Sequence, residues 1–379
     1  MNNIEIENLL SATKRIYRVL HRRPEIGFDL PFTTDYVKNR LKEFGIDFTE
    51  KYGKSSVVAE IGHGDETIAF RADMDALPVE EKSGLPFSSE IKGCMHACGH
   101  DSHIAILLAV AGYLKKHESE LSRKIMFIFQ PSEECAVSGA KMMVDNGVTD
   151  GVSEIIATHC QPKLPSGEIG LCKGGFCAAC VPLKLTFIGK SAHATMPENG
   201  IDAIAMANRV YTVMSERVNE LADSRRYIWS VGRFSGGTAH NVICDKCEMD
   251  ISFRFYDYSF AEEVEKELRA VCDQTVEKYG GKYILDWHIS TGAVINDSEI
   301  IDKISEIAVN NSIITKELSP VMSSEDFGWY LTRVRGVLFH YGIKNEEIGS
   351  GASWHTDRFK IDEDAMIYPI KIFINYALN

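Results

Sequence analysis

The sequence predicts an α/β fold with a central mixed sheet, into which a second, two-layer α+β domain is inserted. Three observations carry this reading. The chain has 379 residues, more than the roughly 250–300 that one hydrophobic core usually organises. Short β-rich runs alternate with stretches of helical periodicity up to about Cys180 and again after Asn296, the pattern of an α/β sheet. Between those limits the strands become half-exposed and alternating, and two long helices separate them, enough for a small core of its own. The expected division is 1–180 with 291–379 for the first domain and 181–290 for the insert.

Apolar positions at helical spacing predict a helix over 4–20, ended before Pro24, and a second over 33–44. Runs 56–61 and 67–72 are joined by Gly62-His63-Gly64-Asp65-Glu66, which is turn chemistry, so neighbouring strands are expected. A helix over 104–116, a buried strand over 124–130 that stops at Pro131, and a strand over 154–159 follow. In the insert, 181–189 and 248–255 alternate as strands, 202–221 and 260–279 are helices, and 283–289 completes a βαββαβ-like unit.

Composition excludes several classes of function. The net charge of −13, without a basic block, argues against a nucleic-acid partner. Ten cysteines follow no disulfide framework, which fits a reducing cytoplasm. Met1-Asn2-Asn3-Ile4-Glu5 carries no leader pattern, and no apolar run reaches the length of a membrane span, so neither export nor anchoring is expected.

The chemistry concentrates in Met95-His96-Ala97-Cys98-Gly99-His100-Asp101-Ser102-His103. A helix start needs only serine or aspartate as a cap, so a thiol and three imidazoles around a glycine point to a Cys98-x-His100 bite on a transition metal. A ligand at every imidazole would exceed any coordination number, and His96 and His103 are read as structural. Gln130-Pro131-Ser132-Glu133-Glu134 places adjacent carboxylates where a buried strand runs out. One suits a cation and the other proton transfer. His159 at the next strand and His355 near the C-terminus bring the ligand set to Cys98, His100, Glu134, His159 and His355. Five ligands exceed one catalytic zinc and suit two ions with a bridging group, as in a two-metal hydrolase. Cys244-Asp245-Lys246-Cys247 has no second pair and is a weak metal or redox signal.

Several motifs, spread in order over almost the whole chain, carry a resemblance. They are Arg71-Ala72-Asp73-Met74-Asp75-Ala76-Leu77-Pro78, the run 95–103, the run 129–134, Gly189-Lys190-Ser191-Ala192-His193-Ala194, the run 236–243 and Ser323-Ser324-Glu325-Asp326-Phe327. Together the chain resembles the amidohydrolase branch of the aminoacylase and carboxypeptidase-type dinuclear metallopeptidases. That branch includes hippurate hydrolases, N-acyl-amino-acid amidohydrolases, auxin conjugate hydrolases and N-acetyldiaminopimelate deacetylases.

The resemblance implies a catalytic metal-binding domain and an inserted lid that pairs two subunits into a homodimer. It implies Cys98, His100, Glu134, His159 and His355 as ligands of two divalent ions, zinc or manganese, with cobalt or nickel as alternatives. Glu133 matches the general base, Asp75 the carboxylate that orients the centre, and His193 the lid histidine that reaches the oxyanion in the partner's site. Asn241 and Arg254 match groups that hold the substrate's α-carboxylate. The wider superfamily has a histidine where this chain has Asp73, and the bridging group stays open.

The expected reaction is hydrolysis of the amide of a small N-acyl-L-amino acid. Glu133 takes the proton of the attacking water and returns it to the departing amine. A dipeptidase or carboxypeptidase is the alternative within the same chemistry. A regulatory protein with structural zinc is the alternative outside it, and an unliganded Glu133 beside the ligands speaks against a closed structural site.

Overall fold

A computed structural model of the protein describes residues 3–379; Met1 and Asn2, counted in the first expected domain, lie outside the described residues. The elements begin with helices α1 (Asn3–His21) and α2 (Pro31–Phe44) and strands β1 (Phe48–Thr49), β2 (Val57–Gly62) and β3 (Thr67–Asp73). Next come α3 (His100–Lys116), β4 (Lys124–Gln130), α4 (Gly139–Asp145), β5 (Glu154–Pro165), β6 (Glu168–Leu171) and β7 (Gly174–Cys177). Then β8 (Ala179–Ile188), α5 (Ala203–Ala222), β9 (Tyr227–Gly236), β10 (Lys246–Phe255), α6 (Tyr258–Tyr279) and β11 (Lys282–Asp286) follow one another. The last are β12 (Val294–Asn296), α7 (Ser298–Asn310), β13 (Ile314–Glu317), α8 (Gly328–Leu331), β14 (Arg335–Lys344) and α9 (Ile367–Leu378).

The chain forms two compact units. The first takes residues up to Phe176, Val294–Pro320 and Glu325–Asn379; the second takes Cys177–Ala293 and Val321–Ser324. In the first, eight strands form one mixed sheet in the order β1-β2-β4-β3-β5-β14-β6-β13. The runs expected to be neighbouring strands are not neighbours: β2 pairs antiparallel and β3 parallel with β4, which lies between them. A turn-like linker does not enforce pairing when a third strand can satisfy both backbones.

At the centre, β4, β3, β5 and β14 run parallel, so their C-terminal ends share one edge, where α/β sheets collect ligands. Asp73 ends β3 opposite Gln130, which ends β4. Arg71 pairs with Ala157, and His159 therefore stands two residues further on, level with Asp73 although β5 continues to Pro165. The burial of α3 departs from the expected 104–116 helix. It starts at His100, and His100, Asp101, Ser102 and His103 are all buried along with the apolar residues behind them. It packs among α1, α2, α9 and β3.

The second unit is a two-layer α+β domain. Four antiparallel strands in the order β11-β8-β10-β9 carry α5 and α6 against an apolar face that includes Leu183, Leu185, Met249, Ile251 and Phe253. Every second residue of β10 is buried, as a sheet with one covered face requires. Among the described residues no helix is long and apolar enough to cross a membrane.

Candidate metal centre

The site in the first unit is built on a glycine. Gly99 precedes α3 at φ +83°, and a Cβ there would lie 2.6 Å from Cys160 Sγ. Glycine alone meets both demands, and it sets the ligand atoms of Cys98, His100 and His159 within 4.8 Å of one another. Cys98, Glu134 and His355 form a second trio within the same limit, and His100, Glu133 and Glu134 a third. His355 is reached by a turn in which the residue itself has φ +62° and its N–H bonds Ala97 O at 2.9 Å. A non-glycine residue held there costs on the order of 1–3 kcal/mol, the kind of strain that collects at functional sites.

Hydrogen bonds choose the tautomers. His100 Nδ1 donates to the backbone carbonyl of Asp75 at 2.8 Å, and His159 Nδ1 donates to that of Cys160 at 2.8 Å. Each ring thus turns its Nε2 inward, the atom a ligand imidazole offers. His159 Nε2 lies 3.4 Å from Cys98 Sγ. Asp75 also grips the loop of Glu133 and Glu134, its two oxygens accepting the backbone N–H of Glu133 at 2.8 Å and Glu134 at 3.2 Å.

These residues fit a divalent cation. His100 Nε2 is buried without a hydrogen-bond partner, and so is Glu134 Oε1, whose 3.2 Å approach to His355 Nε2 lacks hydrogen-bond geometry. Such buried orphans cost a few kcal/mol unless something binds them. The electrostatics agree. Burial lowers the His100 pKa, yet Asp73, Asp75 and Glu134 outweigh it and raise it to about 10, so the pocket attracts positive charge. Burial, then Glu134, pushes the Cys98 thiol well up, and a thiolate there requires a cation beside it. Burial opposes the Glu134 carboxylate but His355 and His100 lower its pKa, whereas Glu133 is pushed well up by burial and by Glu325 and Glu134.

Both ring nitrogens of His103 are engaged. Its Nδ1 bonds Asp73 Oδ1 at 2.6 Å and its Nε2 accepts the N–H of Cys160 at 3.0 Å. His96 is buried with neither ring nitrogen bonded. Beneath the ligands lies a network with no role assigned from sequence. Arg71, wholly buried, donates to Asp73, Gln130, Glu325 and Asp326. The available signal was an arginine inside Thr67–Asp73, a strand otherwise reading as buried, because such a charge must find partners.

The second unit holds the other three candidates. His193 is exposed and bonds Thr195 Oγ through Nδ1 at 2.8 Å. Its strand bridges Val242, and Asn241 O accepts the N–H of Ala194 at 2.9 Å, so His193 and Asn241 lie on adjoining segments. Arg254, on β10, donates through Nη1 to Met322 O at 2.8 Å and to Ser324 Oγ at 3.1 Å.

Comparison with known proteins adds the family. The model of peptidase family M20/M25/M40 matches residues 69–379. The chain is 35% identical over 372 residues to an N-acetyl-L-cysteine deacetylase of Bacillus subtilis (strain 168), covering 97% of this chain and 87% of that one. It is 33% identical over 364 residues to thermostable carboxypeptidase 2 of Saccharolobus solfataricus, covering 93% and 91%. The crystal structure of a dinuclear metal-binding peptidase of the M20 family from Bacillus subtilis superposes with a TM-score of 0.82 at 30% identity, over 98% of this chain and 99% of that one. The chain therefore belongs to peptidase family M20/M25/M40 and is a metal-dependent amidohydrolase.

Proposed function

We propose that the protein hydrolyses the amide bond of N-acyl-L-amino acids, with an N-acetyl, N-benzoyl or related acyl group, releasing a carboxylic acid and a free amino acid. The observation that carries this is Cys98 shared between two ligand trios, with Glu133 beside them. That arrangement suits two divalent ions, which Cys98, His100, Glu134, His159 and His355 would hold, with zinc or manganese, or cobalt or nickel, as the metal. The ions, when bound, supply Lewis acidity that lowers the pKa of water and polarises a carbonyl.

The chain's own groups do the rest. Glu133 takes a proton from the attacking water and returns it to the departing amine, while Asp75 keeps the loop of Glu133 in place. His193 donates to the oxyanion in the neighbouring subunit of a homodimer joined through the second unit. Asn241 and Arg254 hold the α-carboxylate, for which Arg254 turns its fork away from Met322 and Ser324. The deacetylase relative supports this substrate class, and ten free thiols support a cytoplasmic setting.

The carboxypeptidase relative favours a second reading, cleavage of peptides by the same site. A panel of N-acetyl and N-benzoyl amino acids and of dipeptides, offered to protein reconstituted with zinc or manganese, separates the two. Release of amino acid from the acylated set alone is expected. Turnover confined to dipeptides would replace the first reading with the second.

A further inference from the structure

Glu133 and Glu134 sit on a loop whose two ends meet. The N–H of Gly139 donates to Ser132 O at 2.9 Å, and Ser132 Oγ donates to Val137 O at 2.7 Å. A Cβ at Gly139 would stand 1.7 Å from Pro131 O, so the ends approach as closely as bare backbone allows. Ser132 itself has φ +55°. One side chain from a distant part of the sequence grips both ends. Asp326 Oδ1 accepts from Arg71 Nη2 at 2.9 Å and from Gln130 Nε2 at 2.9 Å. Its Oδ2 accepts from Gln130 Nε2 at 2.9 Å, Ser138 Oγ at 2.7 Å and the N–H of Ala140 at 3.2 Å. Gln130 is the last residue of β4, and Ser138 and Ala140 open α4, so the carboxylate ties the point where the loop leaves the sheet to the point where it re-enters regular structure.

The geometry points to Asp326 as a positioning residue for Glu133, with Arg71 and Gln130 donating to its carboxylate from one side and Ser138 and Ala140 from the other. A buried charge pair adds little net stability compared with apolar residues of the same size. Its retention has a reason if it specifies where the loop stands. Asp326 touches neither substrate nor reacting atoms and acts only through the loop, and its catalytic consequence rests on the reading of Glu133 as the base. Asp326→Asn keeps the shape but faces an N–H group towards donors on one side or the other: towards Arg71, or towards Ser138 and Ala140. Either orientation releases one anchor.

The test uses the metal-reconstituted protein, with Ser138→Ala, which removes the Asp326 anchor together with the Lys141 N–H cap of α4, and Ser138→Thr, which keeps a hydroxyl for both, as further variants at a half-buried position. Backbone hydrogen exchange within 131–140 should speed up by roughly tenfold or more in Asp326→Asn, while β3 and α3 exchange as in the parent protein. In the same protein kcat should fall by roughly tenfold or more with KM within about threefold, as expected when a base is misplaced and ground-state binding is not. Ser138→Ala should move both readouts the same way by less and Ser138→Thr should not, and the two decide the matter if Asp326→Asn does not fold. Unchanged exchange in 131–140 overturns the proposal, and so does a loosened loop with the parent kcat. A parent protein inactive on every acylated substrate and dipeptide would instead sink the proposed reaction, and the exchange measurement would still decide whether Asp326 holds the loop.

Discussion

The carboxylate of Asp75 accepts the backbone N–H of Glu133 at 2.8 Å. Glu133 is therefore positioned through its main chain, which leaves its side chain out of that contact. The carbonyl of the same Asp75 receives the Nδ1 proton of His100, so one residue sets both Glu133 and His100, and the carboxylate of the proposed base can be changed while the contacts that place the proposed ligand stay.

Glu133→Gln should on this account keep its bound metal and its fold while kcat drops by at least about a hundredfold. Metal content by atomic emission and steady-state kinetics are the two measurements. Turnover close to that of the parent in the folded variant would remove Glu133 as the base.

Cys98→Ser exchanges a soft anion for a neutral hydroxyl in both trios at once. Metal content and activity should fall together, with affinity for zinc lowered by more than about tenfold, and added zinc or manganese should restore little. An unchanged metal stoichiometry would make Cys98 an ordinary buried thiol.

His21 offers a test by pH. Its Nδ1 lies 2.6 Å from Asp101 and its Nε2 3.2 Å from Glu81, with only 1% of the side chain exposed. Burial lowers its pKa, but Asp101 and Glu81 outweigh burial and raise it to about 9. An unfolded histidine titrates near about 6.5. The folded value being higher, the stabilisation is complete below about pH 6.5 and lost as pH rises through about 9, with a size on the order of 3 kcal/mol. His21→Gln should melt well below the parent at pH 6, and the two melting curves should converge above about pH 9. A constant gap across that window would show that His21 is not held charged.

Assembly can be tested by mixing. Subunits carrying Glu133→Gln and subunits carrying His193→Ala should each be nearly inactive, and co-refolding should restore about a quarter of the parent activity. Random pairing makes half the dimers mixed, and each mixed dimer has one site with both groups intact. No recovery in verified mixed dimers, or an active monomer by sedimentation, would exclude the action of His193 on a partner.

Much of this molecule could be read from local pattern. The two helices and three of the four strands of the insert, the helix behind the metal motif and the strand that leads to Glu133 and Glu134 follow from periodicity and breakers, which are properties of contiguous residues, whereas β9 is not among the expected strands. Strand neighbours are not. The turn residues between β2 and β3 are real, but β4 separates the two strands because pairing is decided by the whole sheet. Apolar periodicity places the helix start at Ile104, whereas the helix begins at His100. His100 to His103 are buried within it, so polar side chains break the apolar pattern there without breaking the helix. The contact between Arg71 and Asp326 spans 255 positions. No pattern within one element could disclose it, although an arginine inside an apolar strand did announce that some such partner existed.

Gly99 has a consequence for redesign of the centre. The spacing between Cys98 and His100 depends on a backbone state that L side chains rarely adopt and on a space already filled by the Cys160 sulfur. Even alanine must leave the left-handed region or displace that sulfur. Libraries that aim to change metal preference can exchange the donor atoms or the carboxylates around them, but position 99 offers no alphabet to search. The identity of the ion is open to selection, and the pitch at which these two donors are presented is not.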